Sequence, residues 1–119
     1  MITRDSIRFF FDDLKDCGLD GNNALTYGYF FTDRSLSKLE VISEELVKLG
    51  YTFVDVLEPD NDDKDDEGYF YLHVEKVEKH NVDSLDLRNM EFYKLAHKYD
   101  LDSYDGFDAG PIGFDPERN

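Results

Sequence analysis

The stretch from Ser37 to Gly50 constrains this chain most. Leu39, Ile42, Leu46 and Leu49 recur at helical spacing, so one face of a helix is apolar and needs a partner to bury it. Ser37 stands three residues before Glu40 and can close a capping box, and Gly50 can end the helix. Each of the four side chains contributes roughly 1.5–3 kcal/mol on full burial, and the flanking sequence supplies the surface to bury it against. On one side, residues 25–31 are aromatic-rich and predict a strand. On the other, residues 51–57 mix β-branched and aromatic side chains and predict a second strand, with Pro59 closing it.

The other segments extend the same alternation. Residues 4–17 predict a helix whose inner stripe is Ile7, Phe10, Phe11 and Leu14, capped by Gly18, and Asp20-Gly21-Asn22-Asn23 marks a turn. In residues 69–74, Phe70, Leu72 and Val74 share one face and Tyr69, Tyr71 and His73 the other, which predicts a strand paired with residues 51–57 as a hairpin. Asp83 or Ser84 can cap a helix running to about Tyr99, with Phe92, Leu95, Ala96 and Tyr99 inward. Residues 104–112 predict a short edge strand, where Pro111 is tolerated. Behind the first helix the order is strand, helix, strand, strand, helix, strand. This is two split βαβ units, and it predicts an α+β fold of the ferredoxin-like kind: a mainly antiparallel four-stranded sheet with an extra N-terminal helix. At 119 residues one domain is expected, with the helix at about 4–17 and the core at about 25–112.

Charge narrows the function classes. Against 28 Asp and Glu stand 13 Lys and Arg, a formal net charge of -15. A protein that holds phosphates needs clustered cations, so nucleic acid and anionic membrane surfaces are poor direct partners. Charge appears at Arg4 and Asp5 before any apolar run, and no window approaches the roughly 20 apolar residues of a membrane span; a cytoplasmic protein is expected. Cys17 stands alone and is expected to be a small buried hydrophobe near a helix end.

Most chemical motifs fail on inspection. Asp63, Asp65, Glu67 and Gly68 fit positions one, three, five and six of a calcium-loop register, but position twelve is Val74 and a strand pattern follows instead of a helix. No metal or other cofactor is expected. The acidic run of residues 58–67 reads instead as an anionic surface, with Asp60, Asp62, Asp63, Asp65, Asp66 and Glu67 able to attract a basic protein. His73, His80 and His97 lack a supporting catalytic motif, and solvent or hydrogen-bonding roles are expected for them. Tyr27, Tyr29, Tyr69 and Tyr71 could share an open sheet face suited to stacking bases, but without a basic groove they are expected to pack in the core or against protein.

In the last third, Asn81-Val82-Asp83-Ser84-Leu85, Arg88-Asn89, Glu91-Phe92-Tyr93, Leu95-Ala96, Tyr99 and Tyr104-Asp105-Gly106 resemble the RraB family, regulators of ribonuclease E activity. The resemblance extends more loosely upstream through the strand near Tyr29, the helix ending at Gly50 and the acidic run. Where the family often carries Trp after the Tyr-Asp-Gly triplet, this chain has Phe107. The resemblance implies an acidic ferredoxin-like domain, not an enzyme, that binds a ribonuclease and restrains RNA processing. Tyr104 and Asp105 are then candidate contacts, although turn chemistry alone, with Gly106 turning the chain, Asp105 bonding local backbone and Tyr104 packing, explains the triplet and is the favoured reading. Two alternatives stay open: an immunity protein that neutralises a basic nuclease toxin, and a small metal-dependent hydrolase.

Overall fold

The computed structural model describes residues 2–58 and 68–112. Its elements are α1 (Arg4–Asp16), β1 (Leu25–Asp33), α2 (Leu36–Lys48), β2 (Thr52–Leu57), β3 (Phe70–Glu78), α3 (Val82–Lys98) and β4 (Ser103–Gly110). The four strands form one sheet in the order β2-β3-β1-β4, with every neighbouring pair antiparallel. This is the expected ferredoxin-like arrangement with an added N-terminal helix, and β4 lies at an edge.

Local chemistry fixes the helix ends, in places two or three residues before the expected cap. Thr3 caps α1 in a box with Ser6. Its other end closes through Gly18 N–H to Lys15 C=O at 3.0 Å and Leu19 N–H to Leu14 C=O at 2.8 Å, a turn that needs the positive φ of Gly18, 80°. Ser35, not Ser37, caps α2 by accepting from the Lys38 N–H, because the helix starts at Leu36. Asn81, not Asp83 or Ser84, caps α3, with Ser84 as its box partner. Cys17 and Leu49 are the C-cap residues of α1 and α2 and are both exposed, so neither is the buried side chain the sequence suggested.

The core lies between one sheet face and the helices. Tyr27, Tyr29 and Phe31 of β1 point there with Leu72 and Val74 of β3, and all five are fully buried. Phe10 of α1 meets Tyr27 and Phe107, with ring centroids 6.4 Å and 4.8 Å apart. Phe92 of α3 packs edge-on against Tyr29, Phe31 and Tyr104, and α2 adds Leu39, Ile42 and Leu46. Tyr71 is paired with Thr32 on the other face, so the four tyrosines do not share a surface. Pairing register decides this, and register depends on a strand distant in sequence.

Tyr104-Asp105-Gly106 forms no turn. It sits inside β4, where the register against β1 slips: Tyr104 pairs with Phe31 and Gly106 with Phe30, leaving Asp105 as the extra residue of a bulge. Gly106 adopts φ 143°, with open space around its Cα. Gly106→Ala is therefore expected to cost about 1–3 kcal/mol through backbone strain alone. Urea denaturation measures it, and an unchanged midpoint would contradict the bulge geometry.

Candidate partner-binding surface

Because α1, α2 and α3 all pack on one side of the sheet, the opposite side carries no helix among the described residues. Its centre is aromatic. Phe30 and His73 are cross-strand partners and stack with centroids 4.4 Å apart at 20°. Tyr71, Val77 and Leu57 extend the apolar area and are 39%, 53% and 52% exposed. Asp55, Glu75 and Asp108 occupy the same face by register, opposite His73, Thr52 and Gly28 respectively. A hollow of about 310 Å³ opens there over Gly28, lined by Thr26, His73, Glu75 and Asp108. A Cβ on Gly28 would stand 2.5 Å from Asp108 Oδ1 and 2.6 Å from His73 Nε2, so glycine is what lets those two side chains close over the strand. An aromatic centre with a charged margin makes this face a candidate surface for contact with another protein.

A second polar cluster lies inside the fold. Arg88 of α3 donates to Glu78 Oε1 at 2.6 Å, the Tyr29 hydroxyl donates to the same oxygen at 3.0 Å, and His80 Nε2 lies 3.5 Å from it. His80 is anchored through Nδ1 to Ser84 Oγ at 2.9 Å. Burial is the largest influence on Glu78 and opposes its ionisation. The hydrogen bonds of His80, Arg88 and Tyr29 and the charge of Arg88 together outweigh it and hold the carboxyl at about 2. Burial pushes the hydroxyl of Tyr29 well above its ordinary value and that of Tyr27 up to about 12. Glu78 therefore stays a carboxylate and Tyr29 a donor across the neutral range. The cluster ties the end of β3 to α3 and turns only a partly buried edge towards solvent.

Of the partner contacts singled out from the sequence, Tyr104 and Asp105 lie among the described residues. Asp60, Asp62, Asp63, Asp65, Asp66 and Glu67 lie outside the described residues, as does most of the calcium-like register. Tyr104 is buried at 3% exposure, and its hydroxyl donates to Asn89 Oδ1 at 2.6 Å, which makes it a core side chain. Asp105 beside it is exposed. Of the histidines, His73 lies on the aromatic face, His80 is a buried hydrogen-bonding residue, and His97 is exposed in the last turn of α3. The described residues contain no group of three or more His, Cys, Asp and Glu able to hold a metal ion, and none of their helices is long and apolar enough to cross a membrane.

Residues 4–109 match the family described as Regulator of ribonuclease activity B, RraB. The chain belongs to the RraB family. The match runs from the first residue of α1 to the last but one of β4, so the added helix and all but the final residue of the ferredoxin-like layer fall within it. The family's described role is regulation of a ribonuclease's activity. Comparison with curated proteins returns no match. The RraB match covers both edges of the aromatic sheet face and the segment that carries the acidic run.

Proposed function

We propose that this RraB-family chain binds a ribonuclease of the E type through protein contacts and lowers its cleavage of RNA without performing chemistry itself. Family membership is the observation that carries this reading. The net charge of -15 supports it, because an RNA-handling enzyme needs basic surfaces for its substrate and those surfaces complement an acidic protein. In this reading the acidic run of residues 58–67 accelerates encounter, while Phe30, Tyr71 and His73 supply buried anchors on the open sheet face. Asp55, Glu75 and Asp108 form the charged margin, and Asp105, exposed at the β4 bulge, adds a further carboxylate.

Retention of the purified ribonuclease on the immobilised chain tests the reading. Binding is expected in dilute buffer and is expected to fall sharply towards 1 M salt, where the Debye length shrinks to about 3 Å. Failure to retain the ribonuclease at any ionic strength would count decisively against it. Asp105→Ala separates contact from fold support: the melting temperature should hold while affinity drops by up to about 1 kcal/mol, about fivefold. A lowered melting temperature with unchanged affinity would assign Asp105 to the bulge instead.

A further inference from the structure

The helical layer is lopsided. Phe10 seats α1 over the β4 side of the sheet, but on the β2 side the described residues provide no matching helix beyond α2. The result is a groove of about 460 Å³ between α2 and the edge strand, lined by Leu36, Glu40, Ser43, Glu44, Phe53 and Val56. Phe53 and Val56 pair with Val74 and Leu72, so they face the helical side, yet Phe53 remains 47% exposed. On α2, Leu36, Glu40, Ser43 and Val47 follow one another at steps of four, three and four, the seam along which two helices pack. Leu36 and Val47, at the ends of that seam, are both exposed.

Three observations select the occupant. The rim is acidic through Glu40 and Glu44, one turn apart on an exposed helix face, so the charge calls for cations. A second copy of this chain would bring another -15 and be repelled. An added strand is disfavoured, because β2 is bulged between Phe53 and Asp55 and the Val56 N–H is already taken by Asp55 Oδ1 at 2.7 Å. We infer that this groove seats an amphipathic basic helix of the partner protein. Its apolar side chains at i, i+3 or i+4 and i+7 fill the space over Phe53 and Val56, and its Lys or Arg residues meet Glu40 and Glu44. The partner thereby grips two sides of the sheet, the open face and the helical groove. That a ribonuclease supplies the helix rests on the function proposed above.

The test titrates the isotopically labelled chain with a synthetic helix of Leu and Lys in amphipathic order, with the same composition scrambled, and with Glu replacing Lys. Amide shifts are expected at Leu36, Glu40, Glu44, Phe53 and Val56 with the first peptide only. Affinity should drop tenfold or more in the Glu40→Lys, Glu44→Lys double variant, whose changes lie on an exposed helix face. Equal binding of the scrambled peptide, or shifts centred on Tyr71 and His73, would overturn the groove whether or not a ribonuclease binds. Retention of the ribonuclease by the double variant at wild-type affinity would also overturn it. Peptide bound in the groove with no affinity for a ribonuclease would instead sink the ribonuclease reading and leave the groove standing.

Discussion

Leu46→Asp is expected to leave the chain without a cooperative unfolding transition. Leu46 is fully buried on the inner stripe of α2 with Leu39 and Ile42, so the change deletes an apolar side chain and inserts a carboxylate into an apolar layer. Lost burial costs about 2–3 kcal/mol, and an unpaired polar group in the core adds several more. A domain of this size has only about 5–15 kcal/mol in total. Leu49→Asp is the control. Leu49 belongs to the same apolar series in the sequence but is 63% exposed at the helix end, so its replacement should stay within about 0.5 kcal/mol of the parent. Circular dichroism through a urea titration distinguishes the two, and a Leu46→Asp midpoint within about 1 M of the parent would contradict the core described here.

The second large effect is expected at Arg88. Replacing it with Met removes the 2.6 Å bond to Glu78 and leaves a nearly enclosed carboxylate beside Tyr29 and His80, at a cost of about 3–5 kcal/mol. The pH dependence carries the sign. Glu78 ionises in the fold at about 2, below its ordinary 4.5, so its contribution is fully present above pH 4.5 and is lost as pH falls towards 2. The parent should therefore lose on the order of 2–3 kcal/mol across that window. Arg88→Met should lose much less of its stability there, because the charged form of Glu78 is no longer favoured. The Glu78→Gln, Arg88→Met double variant should be more stable than the sum of the single changes implies. Additive single effects with an unaltered acid limb would show that the pair is not coupled.

These residues also show where the sequence was legible. Element order, the helical stripes and the parity of residues 70, 72 and 74 are local properties, and they sufficed for the ferredoxin-like sheet and most of the core. The same parity continued through Lys76 to Glu78 would have placed a carboxylate inside and prompted a search for its cation. The strand expected to stop at Val74 concealed it. Cap identity slipped at Ser35 and Asn81 because several Ser, Asn and Asp residues cluster at each helix start, and the choice depends on where the first turn packs. The Phe30–His73 stack, the hollow at Gly28 and the groove beside α2 were not legible, since each is created by strand register or by one layer failing to cover another. Charge was legible from composition and is the property that most limits the partner.

Under the proposed function, binding of this RraB-family chain lowers a ribonuclease's cleavage of RNA. The most direct measurement follows cleavage of a labelled RNA by the purified ribonuclease while the chain is added stepwise, with the chain alone as a parallel reaction. Cleavage should fall saturably as complex forms and recover as salt rises, while the chain alone leaves the RNA intact. Undiminished cleavage at saturating chain, or RNA broken by the chain by itself, would contradict the account.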